Sequence, residues 1–334
     1  MALKDVIGHE KPVKILLRTI QRDRIPTTYL FAGESGTGKK FTAFNFAKAV
    51  NCQSRELTAK GEEGGIDACD DCVSCRKIDA GVHPDFFVIM PENGQIRIEE
   101  IRQVNEKLCL KPFEGKKKIL IVDDADAMNQ HAANAFLKTL EEPPEDSLIL
   151  LVSSNPDRLP DTIRSRCSRI NFALLPREAC EKVIQKFMQS DRIIKLQHQP
   201  IAVLAKLSMG RPGLIISRDP VEERDWFIKL LKNMLDAGRD GWVSKDEMAK
   251  WFDQILLLLR DMAVLKVMRD EKKLINSDIH DYVNKLSGAM DLRIIIESYH
   301  RLNGLKGYLD FNVNKSLIWN YTGSLLRKEV GMYA

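Results

Sequence analysis

Gly33-Glu34-Ser35-Gly36-Thr37-Gly38-Lys39-Lys40 stands between an apolar run, Tyr29-Leu30-Phe31-Ala32, and a helical pattern from Phe41 to Val50. Strand, glycine-rich turn and helix in that order make a phosphate-binding loop. Gly33, Gly36 and Gly38 let successive backbone N–H groups point inward, and the helix N-terminus adds partial positive charge. Lys39 takes the place of the lysine that meets β- and γ-phosphate oxygens. The pattern GxxxxGK[ST] ends in a hydroxyl that ligates Mg2+, but here the position is Lys40. Two unit charges about 4 Å apart repel by roughly 4 kcal/mol at an effective dielectric of 20, and a dication feels more. Thr42, the nearest hydroxyl, lies two residues on and points about 200° away. The loop is therefore built while its metal site is spoiled, which predicts weak or absent nucleotide hydrolysis. The bland alternative is an ordinary strand-to-helix turn.

Further along, Ile119-Leu120-Ile121-Val122 reads as a strand buried on both faces of a parallel sheet, with Asp123-Asp124 at its C-terminal end, where such sheets bind ligands. In a phosphate-loop ATPase the first acid holds Mg2+ and the second, usually Glu, polarises the attacking water. Capping of the helix expected near Asn129 is the other reading of both acids. Phe86 to Met90 reads as a buried strand, as does Leu148 to Val152, and Ile170-Asn171-Phe172 reads as the last strand. Asn155, at a strand tip, either senses a γ-phosphate or forms the turn before Pro156. Lys116, Lys117 and Lys118 read as a solvated surface, with phosphate-backbone contact as the alternative. Arg158, Arg164, Arg166 and Arg169 fall within a dozen residues; they are exposed helix charge or the source of an arginine finger for a neighbour.

Cys52, Cys69, Cys72 and Cys75 form a second informative set. The CxxCxxC run with a fourth sulfur from the end of the preceding helix suits a tetrahedral, closed, structural Zn2+ site. Free thiols and an iron–sulfur cluster remain as alternatives. Metal would hold the Gly/Glu-rich insertion from Glu56 to Ile66, which has little apolar surface of its own. His83, before Pro84, is an alternative ligand or a structural histidine.

The chain has 334 residues, enough for two or three domains, and its 44% apolar and 29% charged content is that of a globular protein. A net charge of +4 does not describe a strongly basic nucleic-acid binder. Neither a secretion signal nor a membrane segment is expected, so the seven cysteines fit thiols or metal ligands and a cytoplasmic protein. After Pro176 the strand–helix alternation stops. Helical patterns follow at Arg177 to Gln189, Ile201 to Met209, Trp226 to Leu235, Met248 to Met268, Ile279 to Met290 and Leu292 to Gly304.

Together, Gly33 to Lys39, the four cysteines followed by His83-Pro84-Asp85, the block Ala133 to Pro144 ending in Leu137-Lys138-Thr139-Leu140-Glu141-Glu142-Pro143-Pro144, and Ser165-Arg166-Cys167 resemble the AAA+ subunits of the bacterial sliding-clamp loader. The resemblance spans most of the first 215 residues. It implies an α/β AAA+ phosphate-loop domain with a five-stranded parallel sheet over 1–173, carrying the cysteine module at 52–75. A small helical lid would cover 174–217, and a helical collar for oligomerisation 218–334. Arg166 would act in trans on ATP held by an adjacent gamma/tau subunit, within a hetero-pentamer that also contains delta and loads the sliding beta clamp onto primer-template DNA. Gly33, Gly36, Gly38, Lys39, Asp123 and Asn155 would form a degenerate nucleotide site in which ATP and Mg2+ are doubtful. Three departures, Lys40 for Thr, Asp124 for Glu and Leu214 where a lid arginine is expected, weaken a motor-subunit reading and agree with a stator. An active gamma/tau-type ATPase and a purely structural scaffold are the alternatives. No polymerase site is visible.

Overall fold

The computed structural model describes residues 1–54, 56–57, 66–189, 200–217, 220–236, 241–309 and 313–330. The chain divides into two compact units, one of residues 1–186 with 210–214 and the other of 187–209 with 215–334.

In the first unit α1 (Glu10–Gln21) precedes β1 (Thr28–Ala32), the glycine loop and α2 (Lys39–Asn51). A two-stranded antiparallel ribbon, β2 (Glu56–Leu57) with β3 (Ile66–Asp67), leads to the short α3 (Val73–Asp79). Apart from Glu56, Leu57 and Ile66, the insertion expected to need metal support lies outside the described residues. There follow β4 (Phe86–Ile89), α4 (Ile98–Leu108), β5 (Lys118–Val122), α5 (Gln130–Glu141), β6 (Ser147–Ser153), α6 (Asp161–Arg164), β7 (Ser168–Asn171) and α7 (Arg177–Met188).

The five longer strands pair in the order β4-β5-β6-β1-β7, every pair parallel. Every residue of β1, β5 and β6 is buried, which is why these segments are continuous apolar runs rather than alternating ones. Their side chains still divide by parity. Tyr29, Phe31, Ile119, Ile121, Leu148 and Leu150 pack with Leu16, Ile20, Phe46 and Val50. Leu30, Leu120, Val122, Ile149 and Leu151 pack with Ile101, Leu108, Phe136 and Leu140. Truncating any of these buried leucines to alanine costs roughly 2–5 kcal/mol.

Two expectations need correction. β4 is an edge strand with Phe87 and Val88 only half-buried, because among the described residues nothing pairs beyond it. Lys118 is not a surface residue: it opens a central strand, is 6% exposed, and its Nζ lies 3.5 Å from Asp85 and over the Phe87 ring. The charge run hid the start of the strand.

The remaining helices are α8 (Ile201–Ser208), α9 (Pro212–Ser217), α10 (Pro220–Leu235), α11 (Lys245–Met268), α12 (His280–Ala289), α13 (Leu292–Gly307) and α14 (Lys315–Val330). Within the second unit the core is aromatic. Trp242 meets Trp319 with ring centroids 4.9 Å apart and Trp251 at 5.5 Å, both edge to face, and Phe227, Phe252, Leu258 and Leu259 fill around them. Fully buried Asp261 accepts the backbone N–H of Asn276 at 2.7 Å and of Ile275 at 3.2 Å, and Arg224 donates to Asn276 Oδ1 at 2.6 Å. That network joins α10, α11 and the connection before α12. No helix among the described residues is long and apolar enough to cross a membrane.

Candidate functional site

The glycine loop follows the C-terminal end of β1, and α2 starts at Lys39 from a left-handed Gly38. Gly36 also has positive φ, and a Cβ there would stand 2.7 Å from Leu214 Cγ. The loop thus accepts close cover from the chain's own segment 211–214: Gly213 N–H donates to Gly36 O at 2.9 Å, and Arg211 pairs with Glu34 at 3.3 Å. The apolar Leu214 occupies the place where a lid arginine was expected.

Lys39 is buried and folded onto its own loop. Its Nζ donates to Gly33 O and Glu34 O, each at 2.6 Å, and to Ser154 Oγ at 3.5 Å. Burial pulls its pKa below the ordinary lysine value, against the pull of Asp124, Asp123 and Asp126. Burial, with Asp123 and Asp126 beside it, raises the Asp124 carboxyl. The residue that spoils the metal pattern takes a definite place: Lys40 Nζ lies 2.8 Å from Asp123 Oδ2, with Met90 Sδ at 3.1 Å. The carboxylate in the position where a phosphate-loop ATPase holds Mg2+ already has a cation. Thr42 is no substitute, since its hydroxyl is buried and bonded to Gly38 O at 2.9 Å.

Neither acid caps the helix near Asn129; Asn129 caps α5 itself, accepting Ala132 N–H at 2.8 Å. Asn155 is exposed at the start of a short 3-10 turn (Pro156–Arg158) and makes no side-chain cap bond. Ser154 reaches Lys39 instead. Asp126 fixes that strand tip by accepting Ser153 Oγ–H at 2.6 Å and Ser154 N–H at 3.0 Å. Sequence reasoning missed both. The Ser-Ser after an apolar strand was the available signal.

At the other end of α2 the four cysteines converge. Their sulfurs all lie within 4.8 Å of one another, with Cys52 Sγ 3.5 Å from that of Cys69 and 3.9 Å from that of Cys72. Four thiolates 2.3 Å from a tetrahedral ion stand about 3.8 Å apart, so the set fits a metal such as zinc. Backbone N–H groups of Cys69, Cys72 and Cys75 point at the sulfurs of Cys52, Cys69 and Cys72 at 3.4, 3.3 and 3.5 Å. Without a cation the four cannot all ionise. Burial pushes Cys52 and Cys75 up, while N–H groups of Cys75 and Gln53 overcome burial to bring Cys72 down to about 6. His83 lies outside the set. Its Nε2 is 3.1 Å from Ser74 Oγ, and its Nδ1 accepts Asp85 N–H at 3.1 Å.

Lys48 ties this corner to α2. Its side chain is 1% exposed; Nζ bonds Asp70, Asp79 at 2.7 Å and Met1 O at 2.8 Å. Burial alone would lower its pKa, but the two carboxylates outweigh that and hold it above the ordinary value.

Arg166 lies between α6 and β7, with a third of its side chain exposed. β7 runs parallel to β1 from Ser168 beside Tyr29 to Asn171 beside Ala32. Arg166 therefore precedes the start of a strand while the glycine loop follows the end of its neighbour, a separation of at least roughly 10 Å along the strands. Arg164 is held by Asp157 at 2.7 Å and by Asp161, and Arg169 Nε donates to Asn171 at 2.8 Å.

The sheet order, the glycine loop at the end of β1 and the acids at the end of β5 define a AAA+ phosphate-loop subunit. A family profile described as DNA polymerase III, delta subunit, matches residues 8–176. The delta′ subunit of DNA polymerase III from Bacillus subtilis is 31% identical over 289 residues, 82% of this chain and 82% of its own. The tau subunit from the same organism is 31% identical over 209 residues, 62% of this chain and 35% of its own, so this chain spans about a third of tau. A crystal structure of a DNA polymerase III gamma subunit-related protein from Thermotoga maritima aligns over 94% of this chain and 99% of that chain, at 19% identity and a TM-score of 0.46. The chain belongs to the DNA polymerase III delta-subunit family, among clamp-loader subunits of delta′ type.

Proposed function

We propose that this chain is the stator of a clamp loader: it makes little use of nucleotide itself and lends Arg166 to ATP bound by an adjacent gamma/tau-type subunit. The observation that carries the reading is the Lys40–Asp123 ion pair at 2.8 Å, which puts a resident cation on the carboxylate that a catalytic Mg2+ needs. The strand geometry supports the second half, because Arg166 precedes β7 and is too far from its own glycine loop to serve it. In this reading Gly33, Gly36, Gly38, Lys39, Asp123 and Asn155 are remnants of a nucleotide site. Cys52, Cys69, Cys72 and Cys75 hold a structural Zn2+, which locks the module to α2 and takes no part in reaction. Residues 1–173 form the AAA+ domain, 174–217 a lid and 218–334 a collar. Gamma/tau and delta are the partners in a cytoplasmic hetero-pentamer, which acts on the sliding beta clamp and primer-template DNA.

The test is reconstitution with gamma/tau and delta subunits. Arg166→Ala should cut DNA-stimulated ATP turnover by a factor approaching the ~10³ of a finger supplied in trans, spread over however many sites the complex fires. Unchanged turnover and clamp loading would reduce the chain to a scaffold. Hydrolysis by the isolated chain, abolished by Lys39→Ala, would make it a motor.

A further inference from the structure

The Arg166 guanidinium is held at two points. Nη1 donates to Thr162 O at 2.7 Å, and Nη2 to Glu141 Oε1 at 2.5 Å. Glu141 is the last residue of α5, ahead of Glu142-Pro143-Pro144. The prolines forbid another turn, so the carboxylate stands at a helix C-terminus, where the helix dipole adds to its attraction for a cation. Nearby Arg164 and Arg169 have acceptors of their own, and Glu141 pairs with Arg166.

We propose that Glu141 is a positioning residue for Arg166. With Thr162 O it fixes the reach and plane of the guanidinium at the surface, ready for a phosphate on an adjoining subunit. This rests on the reading of Arg166 as a residue that acts in trans. A guanidinium has five N–H donors; two are used here and three remain for phosphate oxygens. An unrestrained arginine side chain loses much rotamer freedom on docking, and here part of that loss precedes docking. The anchoring pair is half-exposed and therefore weak, whereas a phosphate offers bidentate, charge-assisted bonds. Glu141 need not let go, since the phosphate can take the free donors. A finger meets charge that develops in the transition state, so loosening it lowers kcat and leaves KM nearly alone.

The experiment uses the complex reconstituted with gamma/tau and delta subunits, with ATP turnover measured against ATP concentration. Glu141→Ala should lower kcat three- to ten-fold with KM within twofold. Glu141→Asp and Glu141→Gln, which keep an acceptor, should recover part of the loss. In an Arg166→Ala background, Glu141→Ala should have no further effect. An equal loss in that background would show a structural role and overturn the proposal, as would a kcat that rises or stays level in Glu141→Ala while Arg166→Ala is impaired. If Arg166→Ala itself leaves turnover unchanged, the trans reading fails first and takes this proposal with it.

Discussion

Helix α2 carries a site at each end, and the two have gone opposite ways. At its N-terminus the glycine loop keeps its backbone form, yet three of its charges are paired within the chain: Lys39 to the loop's carbonyls, Lys40 to Asp123, Glu34 to Arg211. At its C-terminus Cys52 joins three other sulfurs that, among the described residues, no cationic side chain pairs with, and the buried Lys48 pairs with flanking aspartates. A pocket whose polar groups are satisfied internally has little left to offer a ligand. A cluster of four convergent thiols is incomplete without one.

The largest expected effect follows from that difference. Stripping metal with a chelator, or replacing Cys75 by Ser, should lower the stability of the first unit by up to about 10 kcal/mol, read as a fall in its calorimetric midpoint with metal assay in parallel. Nucleotide should not restore it. A metal-free preparation with an unchanged midpoint would erase the contrast between the two ends.

Next in size is Lys48→Met. The ammonium is buried between Asp70 and Asp79, but both carboxylates are partly exposed, so the cost should sit near the low end for a broken buried pair, about 3 kcal/mol by urea titration. A cost below about 1 kcal/mol would mean that α2 and the cysteine module are not coupled through this residue.

The third change works on the pocket. Lys40→Thr frees Asp123 and restores a hydroxyl next to Lys39, and should tighten Mg-ADP binding by at least tenfold, about 1.4 kcal/mol. Adding Leu214→Arg should tighten Mg-ATP further. If titration calorimetry shows no gain from the first change, the cover supplied by segment 211–214 closes the pocket, and the ion pair is secondary.

The sheet was legible because β1, β5 and β6 are buried on both faces and leave uninterrupted apolar runs; the cysteine set was legible from spacing. What escaped depended on partners distant in sequence. Lys118 looked like one lysine among three until Asp85 and Phe87 met it. Asp261 and Arg224 carry no local signal, since their network closes only when α10 and α11 meet the segment before α12. Helix α14 was missed because its buried stripe, Ile318, Trp319, Thr322, Leu325 and Leu326, includes a threonine and is interrupted by Gly323. Glu141 read only as the end of a helix, and its link to Arg166 spans 25 residues.

The smallest effect compares the two ends by acid titration, because each has a buried histidine. His9 Nε2 lies 2.7 Å from Thr37 O in the glycine loop, and His83 Nε2 lies beside Ser74 within the cysteine corner. Burial lowers both below the ordinary 6.5. Thr37 O and Glu10 pull His9 back up while Lys39 pushes it down; Glu114 and Asp85 raise His83 while Lys77 lowers it. In the unfolded chain both protonate near 6.5, and in the folded chain only at lower pH. Over that interval the unfolded state binds more protons, so the histidines' contribution to stability is flat above 6.5 and falls as pH drops from 6.5 toward the folded values. His9→Gln and His83→Gln should each flatten part of that slope. A metal held by four thiolates is also released in acid, so the informative comparison is each variant against the parent chain at equal metal content. A slope unmoved by His83→Gln but reduced by His9→Gln would locate the histidine-linked acid sensitivity at the loop end of α2 alone.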